Sequence, residues 1–392
     1  MSQAGSVGKL LSPRGGAKSV TAVELFFDLV FVFAIAQLSH SLLANLTMVG
    51  ALRTLLLFIA VWWVWIFTTW VTNWLDTSQV AVRLMLFGLM AAGLVLSTSL
   101  PEAFGARGMQ FALAYVVMQV GRSLFMLYAL SGTGSANLRN FRRITVWLTL
   151  AAVFWIAGGL ATADGRWMLW TAALAIEFIA PLAGFRVPGL GKSTTTEWDV
   201  EARHMSERCG LFVIIALGEI VTLTGAAFAG AQWDAPEVAV FGLSVVSCVA
   251  MWWIYFNIGA ERATRRFAAS DDPGRVAQVA YTYIHLPIIA GIVAAAAGIE
   301  LLMEHATGRL SHQAAPVLTA AMGLFLFGEL LFKKSTAGRW PPSHLTGLAA
   351  VAALAIFADR LSPVQFAAAC AALLVAVATW ESISLKNISV AD

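Results

Sequence analysis

Residues 21–40, TAVELFFDLVFVFAIAQLSH, are apolar enough to enter a membrane, yet they include Glu24 and Asp28. A separation of four places both carboxylates on one helix face. Insertion scales set the cost of one central charge at roughly 2.5–3.5 kcal/mol, so such groups persist where they are paired, hydrated or useful. Other acidic residues in or beside apolar runs include Glu177, Glu207, Glu219 and Glu329; cations there include Arg83, Arg122 and Arg208, and histidines His40, His204 and His285. Two chemistries fit this set. In one, Glu24, Asp28 and Glu207 are fixed ion-pair partners of Arg83, Arg122 and Arg208 and lock helices together. In the other, carboxylates load and release protons or bind a cation or ligand during alternating access. Glu177, Glu219 and Glu329 are candidates for this second role because the sequence places no obvious cation beside them at their depth. His204 and Glu207 have the i, i+3 spacing that can converge on an ion in helix bundles. One such pair cannot complete a site, so neither a metal nor a cofactor is expected. His40 and His285 read as satisfied histidines, and the depth of His285 leaves a switching role open.

The elements that must hold these groups follow from composition. Of 392 residues, 59% are hydrophobic and 12% charged, with a mean hydropathy of +0.78; soluble domains carry about 25% charged residues. This is the composition of an all-α integral membrane protein whose first partner is the lipid bilayer. A net charge of +3, spread in short clusters between apolar runs, excludes a nucleic-acid-binding face. Cys209, Cys248 and Cys370 all fall within apolar runs and suggest neither disulfides nor a metal knuckle. The polar stretch 1–19 leads into the first apolar run without a cleavage pattern, so that helix is expected to insert and remain.

Apolar runs near the roughly 20 residues a span needs lie at about 22–45, 50–75, 79–100, 109–131, 143–163, 166–185, 206–230, 237–259, 277–301, 313–334, 344–360 and 363–384. Twelve spans with cytoplasmic termini place the basic clusters Lys9/Arg14/Lys18, Arg139/Arg142/Arg143, Arg186/Lys192/Arg203, Arg262/Arg265/Arg266/Arg275 and Lys333/Lys334/Arg339 inside, leaving single arginines such as Arg53, Arg107 and Arg309 outside. The order of motifs also repeats. ELFFDLVFVFAIAQ from Glu24 aligns with ERCGLFVIIALGEI from Glu207, VWWVW (61–65) with MWWIY (251–255), and QVGRSLF (119–125) with LFGELLF (326–332). The expected organisation is two parallel six-helix repeats, 20–185 and 206–385, joined by a cytoplasmic linker 186–205 and flanked by tails 1–19 and 386–392. Parallel repeats are a transporter plan with the site where the halves meet.

Trp62, Trp63, Trp65 and Trp70 lie too deep for an interfacial belt and are expected to pack between helices. Thr194 with Glu197, or Thr196 with Asp199, has capping-box spacing, so the seventh helix is expected to begin as an interfacial stretch.

ELFFDLVFVFAIAQLSH (24–40) and RHMSERCGLFVIIALGEI (203–220) together resemble the bacterial low-temperature-requirement A family, over most of the chain. The resemblance implies a multi-spanning protein of the bacterial inner membrane and names no reaction or substrate. Glu24, Asp28, His40, His204, Glu207, Arg208, Gly210, Gly218 and Glu219 match its motif positions; Ile220 stands where the family often has Ser. FFDLVFVFAI is also similar, over one helix, to the lysosomal-type potassium channel family. The leading expectation is a proton-coupled secondary transporter of a small organic or amphipathic solute. A channel of two six-helix repeats is the alternative, followed by a membrane protein assisting lipid or envelope metabolism. Without a nucleophile elbow, HExxH, phosphate loop or haem-type His pair, an enzyme ranks last. Solute, coupling ion and oligomeric state are not legible.

Overall fold

The computed structural model describes residues 10–13 and 18–388, the side chains of 163, 258–260 and 385–388 excepted. The tails expected at 1–19 and 386–392 lie largely outside these residues. Among them no β-strand forms, and two isolated bridges, Leu11 with Leu75 and Val187 with Gly191, are the only β pairing. Lipid offers the backbone no hydrogen-bond partner, so apolar runs satisfy their own N–H and C=O groups as helices.

The helices are α1 (Ala22–Ala44), α2 (Met48–Trp74), α3 (Val80–Ser99), α4 (Gly108–Ala129), α5 (Ala136–Leu160), α6 (Ala163–Leu182), α7 (Ala202–Ala229), α8 (Ala235–Phe256), α9 (Ile258–Ala268), α10 (Pro273–Glu304), α11 (Ala314–Ala337), α12 (Pro342–Phe357) and α13 (Pro363–Ile388). Local chemistry sets their ends. Thr47 and Ser135 accept from the amides of Gly50 and Leu138 at the starts of α2 and α5. Asp234 and Glu237 form a reciprocal capping box on α8. Gly338, at φ +74°, closes α11 in the left-handed conformation that glycine adopts without a Cβ clash. Inside α4 and α10, single π-helical stretches run over Val117–Gly121 and Ala277–Tyr283.

Among the described residues eleven helices are long and apolar enough to cross a membrane, α8 and α9 counting as one. The span expected at 166–185 is the 20-residue α6, whose Asp164, Arg166 and Glu177 lower its apolarity. The capping box expected near 194–199 is absent. Thr195–Glu197 is a single 3-10 turn without a side-chain cap, and α7 starts later, at Ala202. There the Glu201 carboxylate accepts the His204 amide at 2.6 Å.

The chain divides into two compact units. The first comprises Met1–Ser41, Thr47–Arg208 and Ser270–Gln278; the second, Leu42–Leu46, Cys209–Ala269 and Val279–Asp392. In the first, α4 packs on α3 and α5, and α5 on α6. Its core is aromatic: Tyr115 lies 4.2 Å from Trp155 between ring centroids, and Trp63 stacks on Phe178 at 4.0 Å. Trp62 and Trp63 are fully buried, whereas Trp252 and Trp253, their counterparts in the expected repeat, are exposed. The aligned tryptophans therefore do not share an environment.

In the second unit α10 packs most extensively on α11, α8 on α13, and α12 on α11 and α13. Gly291 lets the α10 and α11 backbones touch, since a Cβ there would lie 2.5 Å from the Phe325 nitrogen and 2.7 Å from the Ala321 oxygen. Both obstacles are backbone, so the helices would have to separate. Gly291→Ala is expected to destabilise the protein by about 1–3 kcal/mol, the range for overpacking, read as a lowered unfolding midpoint in mixed micelles. An unchanged midpoint would contradict this packing.

Candidate functional site

The first unit brings the start of α1 against the start of α7. Glu24 and Asp28 are four residues apart on α1, as are His204 and Arg208 on α7, and the two pairs meet in register. Glu24 Oε1 lies 2.8 Å from His204 Nε2, and Asp28 Oδ2 lies 2.6 Å from Arg208 Nη1. All four side chains are buried.

The hydrogen bonds fix the protonation pattern. The Glu201 amide can only donate, and it faces Asn73 Oδ1 at 2.9 Å. Asn73 Nδ2 therefore faces the Glu201 carbonyl at 2.9 Å and His204 Nδ1 at 3.2 Å. Nδ1 must then accept, so the ring proton sits on Nε2 and is donated to Glu24. Glu24 Oε2 accepts from the amide and hydroxyl of Thr21, at 3.0 and 2.8 Å. Asp28 Oδ1 accepts from Trp65 Nε1 at 2.9 Å, and the Arg208 guanidinium lies over the Trp65 ring, 5.4 Å from its centroid. With His204 neutral, Asp28 is the carboxylate paired with the guanidinium, and Glu24 is held by hydrogen bonds from His204 and Thr21. Arg208 Nε and Nη2 are buried without a hydrogen-bond partner among the described residues.

A cavity of about 770 Å³, lined by Ser12, Lys18, Thr21, Phe26, Arg83 and Phe87 among others, opens beside this cluster. Thr21 belongs to both, so a single hydroxyl separates Glu24 from the cavity. Lys18 donates to the Ser12 hydroxyl and to the carbonyls of Thr72 and Leu75, at 2.9, 2.5 and 2.6 Å. Burial pushes its ammonium down from the ordinary lysine range, against the pull of Glu24, Asp76 and Glu201.

Glu177 occupies a different place in the same unit. It accepts from Tyr115 Oη at 2.8 Å, Gln119 Nε2 at 2.6 Å and Trp155 Nε1 at 2.9 Å. Gln119 Oε1 in turn accepts from Arg122, whose other nitrogen reaches Thr68 Oγ1 and the Val64 carbonyl, at 2.7 and 3.0 Å. An amide thus bridges a buried guanidinium and a buried carboxylate. The π-helical stretch of α4 includes Gln119 and ends one residue before Arg122.

The remaining candidates lie apart. Arg83 is exposed and donates to the Thr77 carbonyl at 3.0 Å, inside the cavity rather than in the buried cluster. Glu207 is half-buried, pairs with Arg203 at 2.7 Å and accepts the Val20 amide at 3.2 Å. His40 is exposed. In the second unit Glu219 is buried and accepts the Thr222 hydroxyl at 3.4 Å. His285 Nδ1 donates to the Ala280 carbonyl at 2.8 Å, which leaves Nε2 for the Tyr255 hydroxyl at 2.9 Å, a saturated histidine. Glu329 is buried on α11, one turn before Lys333. Among the described residues no three His, Cys, Asp or Glu side chains converge as metal ligands. Asn73, Thr21 and Gln119, all integral to these networks, carry no sequence signal beyond lying near an apolar run, and Trp65 reads there only as a packing tryptophan. Arg166, in the first turn of α6, is buried and clamps the carbonyls of Ala103, Gly105 and Gly158 at 2.8, 2.7 and 3.1 Å.

A family model described as bacterial low temperature requirement A protein (LtrA) matches residues 19–379. A protein of Rhizobium meliloti (strain 1021), named Uncharacterized protein RA0937, is 40% identical over 367 residues, which cover 93% of this chain and 89% of that one. No solved structure matches.

Proposed function

The chain belongs to the bacterial low temperature requirement A family, and on that premise we propose that it is a proton-coupled secondary transporter of a small organic or amphipathic solute. It works in the bacterial inner membrane with both termini cytoplasmic, and its two halves act as parallel six-helix repeats. The supporting observation is the join between Glu24 and the cavity. A buried carboxylate, held by a neutral histidine and a hydroxyl, is linked through that Thr21 hydroxyl to an open space.

Burying a carboxylate without a direct cation is costly, and one proton neutralises it. Glu24 takes that proton from the cavity through Thr21. Once neutral, it no longer holds His204 as a carboxylate does, and the α1–α7 contact is left to Asp28 and Arg208. Arg208 Nε and Nη2, buried and without a hydrogen-bond partner among the described residues, are the donors that a polar group on the solute would meet. Proton occupancy on α1 and solute contact on α7 thereby act on one helix pair.

The test is transport by protein reconstituted in liposomes containing a pH-sensitive dye, screened with organic cations, organic acids and amino acids. Wild type should show solute-dependent proton movement. Glu24→Gln keeps the shape of the side chain and removes the titrating group, so in the fraction that folds and reconstitutes it should lower coupled uptake at least about tenfold, or 1.4 kcal/mol or more in the barrier. Uptake indifferent to both the pH gradient and this substitution would overturn the proposal, as would a panel that moves no protons.

A further inference from the structure

The second unit holds a cluster of its own. Lys333, in the last turns of α11, is buried with its ammonium 2.7 Å from Glu381 Oε2 of α13, 3.0 Å from the Ile254 carbonyl of α8 and 3.1 Å from His344 Nε2 of α12. An ammonium has three hydrogens and no acceptor, and these contacts use all three. Because Lys333 can only donate, His344 Nε2 accepts, and its ring proton sits on Nδ1, 3.1 Å from Ser343 Oγ. The histidine is neutral. Glu329 Oε2 lies 3.2 Å from the same ammonium, yet neither Glu329 oxygen makes a hydrogen bond among the described residues, although the side chain is buried. Here two carboxylates face one cation and a neutral histidine, and the carboxylate left over is the one without donors.

The surrounding elements bring little to offset it. From α8, Tyr255 gives its hydroxyl to His285 of α10. On α9, Glu261, Arg265 and Arg266 are exposed and Arg262 is half-buried; Arg266 reaches the Thr336 carbonyl at 3.2 Å, beyond the cluster. Lys334 is turned outward to the Gly338 carbonyl. A buried carboxylate with no donor and an already committed ammonium is most cheaply accommodated by a proton of its own.

We propose that Glu329, Lys333, Glu381 and His344 form a second proton-binding site, in which Glu329 reversibly takes one proton from water while Lys333 stays charged and divides its contact between the two carboxylates. Only an O–H bond on Glu329 is made and broken. Lys333 and Glu381 side chains retain 10% and 8% exposure against 1% for Glu329, so they are the route by which the proton reaches it. The site does not depend on the transport reading and would titrate in a protein that moves no solute.

Full-length protein in lipid nanodiscs should be treated with the apolar reagent dicyclohexylcarbodiimide across a pH series, and adducts located by peptide mass spectrometry. The reagent takes the proton of a neutral carboxyl onto its nitrogen while the carboxylate oxygen adds to its central carbon, and rearrangement leaves a stable N-acylurea. Glu329 should be modified at acid pH and lose modification about tenfold per pH unit once it ionises. Glu177, equally buried but held by three donors, should stay unmodified and serves as the internal control. Infrared difference spectra of the same nanodiscs should show a protonated-carboxyl band lost on alkaline titration, absent in Glu329→Gln and retained in Glu24→Gln. Modification of Glu329 that ignores pH, no modification at any pH, or a band unchanged in Glu329→Gln would each overturn the proposal. A Glu24→Gln result that abolishes uptake while this band persists separates the two centres.

Discussion

Replacing Arg208 with Met is expected to cost about 3–5 kcal/mol of stability, the loss found when one partner of a buried ion pair is removed. Arg208 is fully buried, donates to Asp28 at 2.6 Å and to the Glu24 carbonyl at 3.1 Å, and lies over Trp65. Methionine fills similar volume but leaves Asp28 with the Trp65 N–H as its remaining partner. The penalty comes from the stranded charge, so the double variant Arg208→Met/Asp28→Asn should recover most of it. A double-mutant cycle read from unfolding in mixed micelles should give a coupling well above the few tenths of a kcal/mol expected of independent sites. Additive losses would mean the pair contributes no interaction of its own.

Glu177→Gln should be comparably damaging, about 3–5 kcal/mol, for the opposite reason. Here the stranded charge is Arg122, which is balanced through the Gln119 amide and is itself buried. The Tyr115, Gln119 and Trp155 donors all point at the carboxylate, so a glutamine amide nitrogen would oppose at least one of them. Arg122→Met in the same chain should restore much of the loss. Were Glu177 a proton carrier, Glu177→Gln would instead fold normally and lose only coupled uptake, and that outcome would reverse the assignment.

The span positions were legible because a bilayer leaves little freedom: about 20 apolar residues are needed to cross it. The expected runs 50–75 and 313–334 became Met48–Trp74 and Ala314–Ala337. Glu24 and Asp28 were visible as a pair by their spacing, and Arg208 as an ion-pair partner; His204, which the spacing ties to Glu207, was not legible as the partner of Glu24. Which acidic residue of α7 faced inward was not visible. Glu207 aligns with Glu24 in the motif, yet it lies one residue off the buried face and pairs with Arg203 near the surface. The burial of Lys333 was hidden for a related reason. Counting cations in loops assigns it to the cytoplasmic side, but Glu381 and His344 return from α13 and α12 to enclose it. Such contacts across 48 and 11 residues leave no local pattern. Gln119 is less visible still, since an amide that joins two ions looks like any other polar residue in an apolar helix.

The wide turn in α4 bears on how chains of this kind can change length. Each residue advances an α-helix by about 100°. Removing one residue from Val117–Gly121 to restore regular winding would rotate all that follows relative to what precedes, and Arg122 would swing off the face that meets Thr68 and Val64. The surplus residue is therefore a phase correction between two halves of one helix. A descendant sequence could lose it only by moving its arginine one position along the chain.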